Sequence, residues 1–371
     1  MGIGKILIQG HKALTANQTA MAVTSHNVAN VNTKGYSRQR VDLKNVEPDA
    51  TQGIRVGGGV DVAGVVRSSS EFVNRRLEEE GMNLGKAETL QDIYSQLENI
   101  FQSEGEGGIS KAMSEYFNNI RSLSAQPDSM ALRTAVKENA ENLTTQFNRT
   151  VSSIDDVTND INRRIESNVD TVNQLTDTIA KLNQRIMEVE MDGKSAANDE
   201  RDRRDLAIRD LAKIVEVRVI PTEKGGMNIM NQKLGSLVVG VDRLQLNVAR
   251  QAPVSAGGPP SVTILAQMGS SGVQKDVSNH LENGSLGALI QARNEIVPKI
   301  LNRLDQTAYQ LSENVNNIHK EAYTLDGQKG KTFFKDLASV DGAAREFGIS
   351  NDIKSNPKAI ASAYEIGKAG D

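Results

Sequence analysis

The chain has 371 residues, 43 Lys plus Arg against 47 Asp plus Glu, and a formal net charge of -4. Such a balance offers no basic surface to release counterions from phosphate, so it argues against a nucleic-acid partner. The absence of cysteine excludes a disulfide scaffold and any thiolate metal site, and no run approaches the roughly 18 to 20 apolar residues of a membrane span. With 4% aromatics and no Trp, the core is expected to be built from Leu, Ile, Val, Ala and Met. At the N-terminus the apolar run Ile6-Leu7-Ile8 is interrupted by Gly10, His11 and Lys12, too soon for a secretory signal.

The first predicted element is a helix over about Gly4 to Val31. Leu7, Leu14, Met21 and Val28 recur one heptad apart, and most of the remaining surface is small and polar. A single narrow stripe is the pattern of a coiled-coil seam, and a helix with one seam is marginal without a partner. Asn27, Asn30, Asn32 and Gly35 crowd at its end, residue types that tolerate the left-handed conformation of helix stops. Tyr36 to Leu43 reads as an exposed strand, and Val60, Val62, Val65 and Val66 as a second one after the turn Gly57-Gly58-Gly59.

Helical spacing returns from Ser70 to about Asn99, and again from Ile109 to about Leu123 after a loop at Ser103 to Gly108. Pro127 and Asp128 open the next helical stretch. From Ile154 to Val189 apolar residues recur every three or four positions, which predicts a long coiled-coil-like helix broken at Asp192-Gly193. A shorter helix spans about Asn198 to Val215. Its run Asp199-Glu200-Arg201-Asp202-Arg203-Arg204-Asp205 reads as a solvated face with modest ion pairs.

Past Glu216, alternating segments at Val217–Ile220, Met227–Met230, Ser236–Val239, Leu244–Val248 and Val262–Leu265 predict a small β domain. Helix resumes from Leu286 to about Tyr323, with Pro298 expected to mark a kink or a helix start. A loop-like stretch at Asp326 to Lys331, Phe333-Phe334 and short segments follow. The expected fold is mainly α with a β insertion: a long antiparallel coiled-coil-like helical rod plus a small β domain. The divisions are 1–35 (an N-terminal axial helix), 36–214 (a helical rod domain with short strands), 215–284 (the β domain) and 285–371 (a return helix and a truncated C-terminal segment). Topology alone makes the return helix the expected partner of the Ile154–Val189 seam.

No catalytic constellation is visible. His11, His26, His280 and His319 have no metal-ligand spacing, no HExxH run occurs, and the triple glycine precedes a strand with no GKS or GKT after it. No cofactor and no enzymatic activity are expected.

Read from the residues alone, the Asn and Gly cluster is a plain helix stop or something more. The run Ser25, Asn27, Val28, Ala29, Asn30, Asn32, Thr33, Gly35, Tyr36 resembles the N-terminal signature of the flagellar axial family of rod, hook and hook-associated proteins. Tyr36-Ser37-Arg38-Gln39, Gly59-Val60-Asp61-Val62 with Arg67, Asn198 to Val217, and Ser285 to His319 are similar to its hook-associated branch. The resemblance implies a self-assembling adaptor at the hook tip that joins hook to filament; a hook or rod component is the alternative. It marks Leu7, Leu14, Met21, Asn27, Asn30, Asn32, Gly35, Tyr36 and Arg38 as assembly residues. The implied partners are further copies of the chain, the hook protein, a second junction protein of the hook-associated protein 3 type and a flagellar export chaperone, with no nucleic acid and no membrane. Location outside the cell on the flagellum, after export through the flagellar type III apparatus, is implied as well. Family members end in a second apolar-seamed helix. None is legible before Gly370-Asp371, so a fragment is expected, the alternative being a shortened form whose seam another subunit fills.

Overall fold

The computed structural model describes residues 3–47, 58–102, 108–192, 196–222, 225–253, 257–268 and 274–365. Gly57 of the triple glycine, residues 103–107 of the predicted loop, Gly193 and the chain end at Gly370-Asp371 lie outside the described residues.

In chain order, α1 (Ile3–Ala29) leads to the antiparallel hairpin β1 (Gln39–Asn45) and β2 (Val60–Arg67), which carries a bulge between Asp42 and Leu43. Helices α2 (Glu71–Gln102), α3 (Ile109–Ala125), α4 (Met130–Val189) and α5 (Asn198–Ile214) follow. Strands β3 (Arg218–Pro221), β4 (Met227–Asn231), β5 (Gly235–Val239), β6 (Asp242–Gln251), β7 (Ser261–Met268) and β8 (Gln274–Asp276) lie side by side in chain order in one six-stranded sheet. The chain closes with α6 (Gly284–Gln291), α7 (Val297–Glu321), β9 (Tyr323–Thr324), α8 (Ala343–Glu346), α9 (Asn351–Ser355) and β10 (Ala361–Ala363). The fold is mainly α with a β insertion, as the periodicities predict. Among the described residues no helix is long and apolar enough to cross a membrane.

Two local details follow from chain chemistry. Helix α4 is continuous for 60 residues, beginning after Pro127. Ser129 Oγ accepts the Leu132 N–H at its first turn. Between α6 and α7 the residues Ala292–Ile296 form a π-helical turn, and Pro298 sits in the first turn of α7. Proline supplies no N–H to the preceding turn, and the widened turn absorbs the missing bond.

The chain forms two compact units. The first comprises Met1–Ala87, Ser167–Val248 and Ile264–Ala288; the second comprises Glu88–Glu166, Ala249–Thr263 and Leu289–Asp371.

In the first unit α4 buries Val169, Val172, Ile179 and Ile186, and asparagines between them clamp the sheet. Asn173 accepts the Leu246 N–H at 2.9 Å and donates to the Leu246 carbonyl at 2.8 Å. Asn183 donates to the carbonyls of Met227 and Gly240 and accepts the Met227 N–H. The expectation of a return-helix partner therefore fails for this stretch of the seam. Periodicity says which face of a helix is buried, not what buries it.

In the second unit Ala308, Leu301, Leu304, Leu311 and Val315 of α7 join a core with Val136, Ala140, Leu143, Phe147 and Val151 of α4, upstream of the predicted seam. Four of the seven phenylalanines sit in this core, with Phe334 4.7 Å from Phe347 and 4.9 Å from Phe333, and Phe147 5.3 Å from Phe347, between ring centroids. A purely aliphatic core is thus not what forms here. The scarce aromatics are concentrated where the C-terminal segment, poor in regular structure, must be held. Polar helix side chains hold the backbone of that segment. Asn316 accepts the N–H groups of Phe333 and Phe334 at 2.8 Å, and Asp305 accepts those of Gly342 and Ala344. Such capture is needed because buried backbone groups outside helix and sheet must find partners elsewhere.

Candidate assembly surface at the N-terminal helix

Helix α1 has two unlike faces. On the outer one Leu7, Leu14, Met21 and Val28 are 66%, 59%, 74% and 69% exposed, one heptad apart. A heptad drifts only about 20° around an α-helix, so the four make one stripe. On the inner one Ala16 is buried, and Ala13, Ala20 and Val23 are half-buried; α1 packs there against β1 and β2. Small residues let the hairpin backbone approach, and the Lys12 ammonium reaches Asp61 of β2 at 3.0 Å. The outer stripe is legible in the sequence, whereas this alanine face is not. Alanines at three- and four-residue spacing were its only signal.

At the end of α1 the chain turns a polar corner. Asn27 Oδ1 accepts both the Gln39 N–H and the Tyr36 hydroxyl at 2.8 Å, and its Nδ2 donates to the Gln39 carbonyl at 2.8 Å. The His26 ring stands edge-on to Tyr36, with Nδ1 3.1 Å from the hydroxyl. Asn30 Nδ2 donates to the His26 carbonyl and its Oδ1 accepts from Thr33. Gly35 has φ +85°, which favours glycine, and a Cβ there would crowd the Leu206 side chain at 3.1 Å. Burial first, then the carboxylates of Asp199 and Asp202, push the Tyr36 hydroxyl above its ordinary pKa, so it stays a donor.

Helix α5 anchors the corner. Asp202 accepts the Ser37 N–H and an Arg67 Nη1–H at 2.8 and 2.9 Å, Asp205 pairs with Arg67 at 2.8 Å, and Asp199 accepts from Gln39 Nε2 at 2.9 Å. Asn198 donates to the Val65 carbonyl. Arg201 pairs with Glu190, and the fully buried Arg204 donates to Asn183 Oδ1 and the Gly225 carbonyl. The charged run from Asp199 to Asp205 is therefore not uniformly a solvated face: Asp202, Arg204 and Asp205 are buried, while Asp199 and Arg203 stay exposed. The helical period sends 198, 202 and 205 to the hairpin and 201 and 204 to the end of α4 and the β3–β4 turn. Glu78 of α2 faces the same cluster. Burial first, then Asp205, push its carboxyl up to about 7.

The sequence-predicted residues thus fall into three groups. Leu7, Leu14 and Met21 line the open stripe. Asn27, Asn30, Gly35 and Tyr36 are drawn together in the half-buried corner, while Asn32 and Arg38 are exposed beside it. No cluster of three or more His, Asp or Glu placed to hold a metal occurs among the described residues.

A family model described as the flagellar hook-associated protein FlgK helical domain matches residues 94–334, well over half of the chain. The chain belongs to this FlgK family. A second model, the flagella basal body rod protein, matches residues 10–36, which hold Leu14, Met21 and Val28 of the stripe and Asn27 to Tyr36 of the corner. Flagellar hook-associated protein 1 of Salmonella typhimurium is 28% identical over 361 residues, 95% of this chain and 64% of that protein. The protein of the same name from Bacillus subtilis is 26% identical, covering 97% of this chain and 76% of its own length. The chain spans about two thirds of the Salmonella relative. The flagellar hook junction protein FlgK from Burkholderia pseudomallei shares the fold, with a TM-score of 0.62 at 22% identity over 71% of this chain and 47% of that one.

Proposed function

We propose that the chain is a structural component of the bacterial flagellum that assembles at the hook tip and joins hook to filament, acting as an adaptor and not as an enzyme. One observation carries this reading: the heptad stripe of α1 lies open while the opposite face of the same helix is already covered. An apolar side chain of this size gains about 1.5 to 3 kcal/mol on full burial, so the stripe favours a helical partner. In this reading Leu7, Leu14 and Met21 make the contact. Asn27, Asn30, Gly35 and Tyr36 set the direction in which α1 leaves the corner, and Asn32 and Arg38 meet a neighbouring subunit beside it. Subunits joined through such unlike surfaces form open helical arrays. The partners are further copies of the chain, the hook protein, a second junction protein of the hook-associated protein 3 type, and an export chaperone. The chain leaves the cell through the flagellar type III apparatus, unfolded. The names of its relatives, hook-associated and hook junction proteins, support this reading.

Electron microscopy of a deletion strain, with an assay for flagellin in the medium, tests it. Hooks without filaments and shed flagellin are expected; complete filaments would overturn it. A second reading, a rod or hook component, is favoured by the rod-protein match over residues 10–36. Labelled protein found along the whole hook, and not at its tip, would decide for that alternative.

A further inference from the structure

We infer that His319 is an acid-operated latch on the segment around β10 in the second unit. His319 is buried on α7, its ring edge-on to Phe333 with centroids 5.5 Å apart. Its Nδ1 lies against the Lys331 carbonyl, and its Nε2 receives the Ala361 N–H at 2.8 Å. A carbonyl can only accept and a backbone N–H can only donate, so the ring must carry its proton on Nδ1 and keep Nε2 bare. Only the neutral imidazole makes both bonds. Protonation puts an N–H against the Ala361 N–H and turns the clip into a repulsion.

The same strand is held from its other side by Arg133 of α4, fully buried, which donates to the Ile360 carbonyl and, at 2.8 Å, to Ser362 Oγ. The guanidinium therefore stands next to the backbone that His319 clips. The other charged groups around the latch are already engaged. From the turn before Phe333, the Lys331 ammonium pairs with Asp352 of α9, and Lys329 Nζ donates to the Glu321 carbonyl. On α7 Lys320 pairs with Asp336. Asp128 and Asp326 offset the burial of Arg133. No carboxylate touches the imidazole among these contacts, and burial holds its pKa below the ordinary value.

The sign follows. The attached segment requires neutral His319, while the released segment leaves the ring free to titrate near its ordinary value. Attachment is complete above about pH 6.5 and weakens as pH falls below it. A group of pKa about 6.5 when released shifts the equilibrium toward release between pH 7.5 and pH 5 by at most about thirtyfold, the limit reached when the attached ring stays unprotonated.

Hydrogen–deuterium exchange of the whole chain at the two pH values, corrected for intrinsic rates, reads this directly in residues 356–365, with strands β4 to β6 as internal reference. The expected result is a rise of roughly ten- to thirtyfold at pH 5 in that segment and none in the reference. His319→Gln keeps a neutral donor and acceptor and removes the titration. Its exchange, whatever its level, should show no such rise. An unchanged wild-type segment at pH 5, or an equal rise in the variant, would overturn the latch.

Discussion

Along α1 the outer positions Leu7, Leu14, Met21 and Val28 are all more than half exposed, while its inner alanines lie under the hairpin. A few residues on, the corner reverses the arrangement: Asn27, Gly35 and Tyr36 are half-buried, and nearly every polar atom of Asn27 is engaged within the chain. The stripe is apolar surface left in water, and the corner is polar chemistry taken out of it. The difference separates two jobs that a signature motif runs together. The corner finds its partners within one chain, whereas the stripe finds none there; in the proposed reading the first sets the direction of α1 and the second makes the assembly contact.

The comparison breaks hardest at Arg67. Its guanidinium is the shared partner of two buried carboxylates. Arg67→Ala removes the ion-pair partner of both Asp202 and Asp205 and should cost about 3 to 5 kcal/mol in urea unfolding. A loss below about 1 kcal/mol would mean that the α5 charges are solvated after all. Next comes Asn27→Ala, which strips partners from both backbone groups of Gln39 and from the Tyr36 hydroxyl. A cost of about 2 to 3 kcal/mol is expected, against no more than about 0.5 kcal/mol for the exposed Asn32→Ala. Equal effects at the two positions would erase the distinction between the corner and its surroundings.

A pH-dependent effect concerns Glu78. Its carboxyl titrates near 7 in the fold and near 4.5 when unfolded, so between these values the folded state holds the proton more tightly. Stability from this group is present at the low end of the window and is lost as pH rises toward 7. Glu78→Gln should therefore gain stability relative to wild type at pH 8 and little at pH 5. Parallel unfolding curves for the two proteins across that range would show that Glu78 does not feel the cluster.

How much of this was legible depended on whether the partner was local. The α1 heptads, the Asn and Gly helix stop, the hairpin valines and the Ile154–Val189 period all declare themselves within a few turns, and the elements form where they do. Asp202 and Arg67 are 135 residues apart, so the rule that pairs charges three or four apart on one helix saw only a solvated face. Asn173 and Asn183 carry no local signal of their role, because nothing near them in sequence says that strands would arrive for them to clamp. The C-terminal segment was illegible for the same reason: Phe333, Phe334 and Phe347 carry no period, and their core exists only once α3, α4 and α7 meet. Of the candidate site, the stripe was readable as an unpaired seam, whereas the corner's closure on α5 was not.

The most direct test is Leu14→Asp in the full-length protein, scored by thermal unfolding and by filament counts in the deletion strain. The account predicts unfolding within about 0.5 kcal/mol of wild type, since an exposed position has little packing to lose, together with hooks that carry few or no filaments. Normal filament numbers would contradict it, because the open stripe would then not be the surface through which the chain assembles.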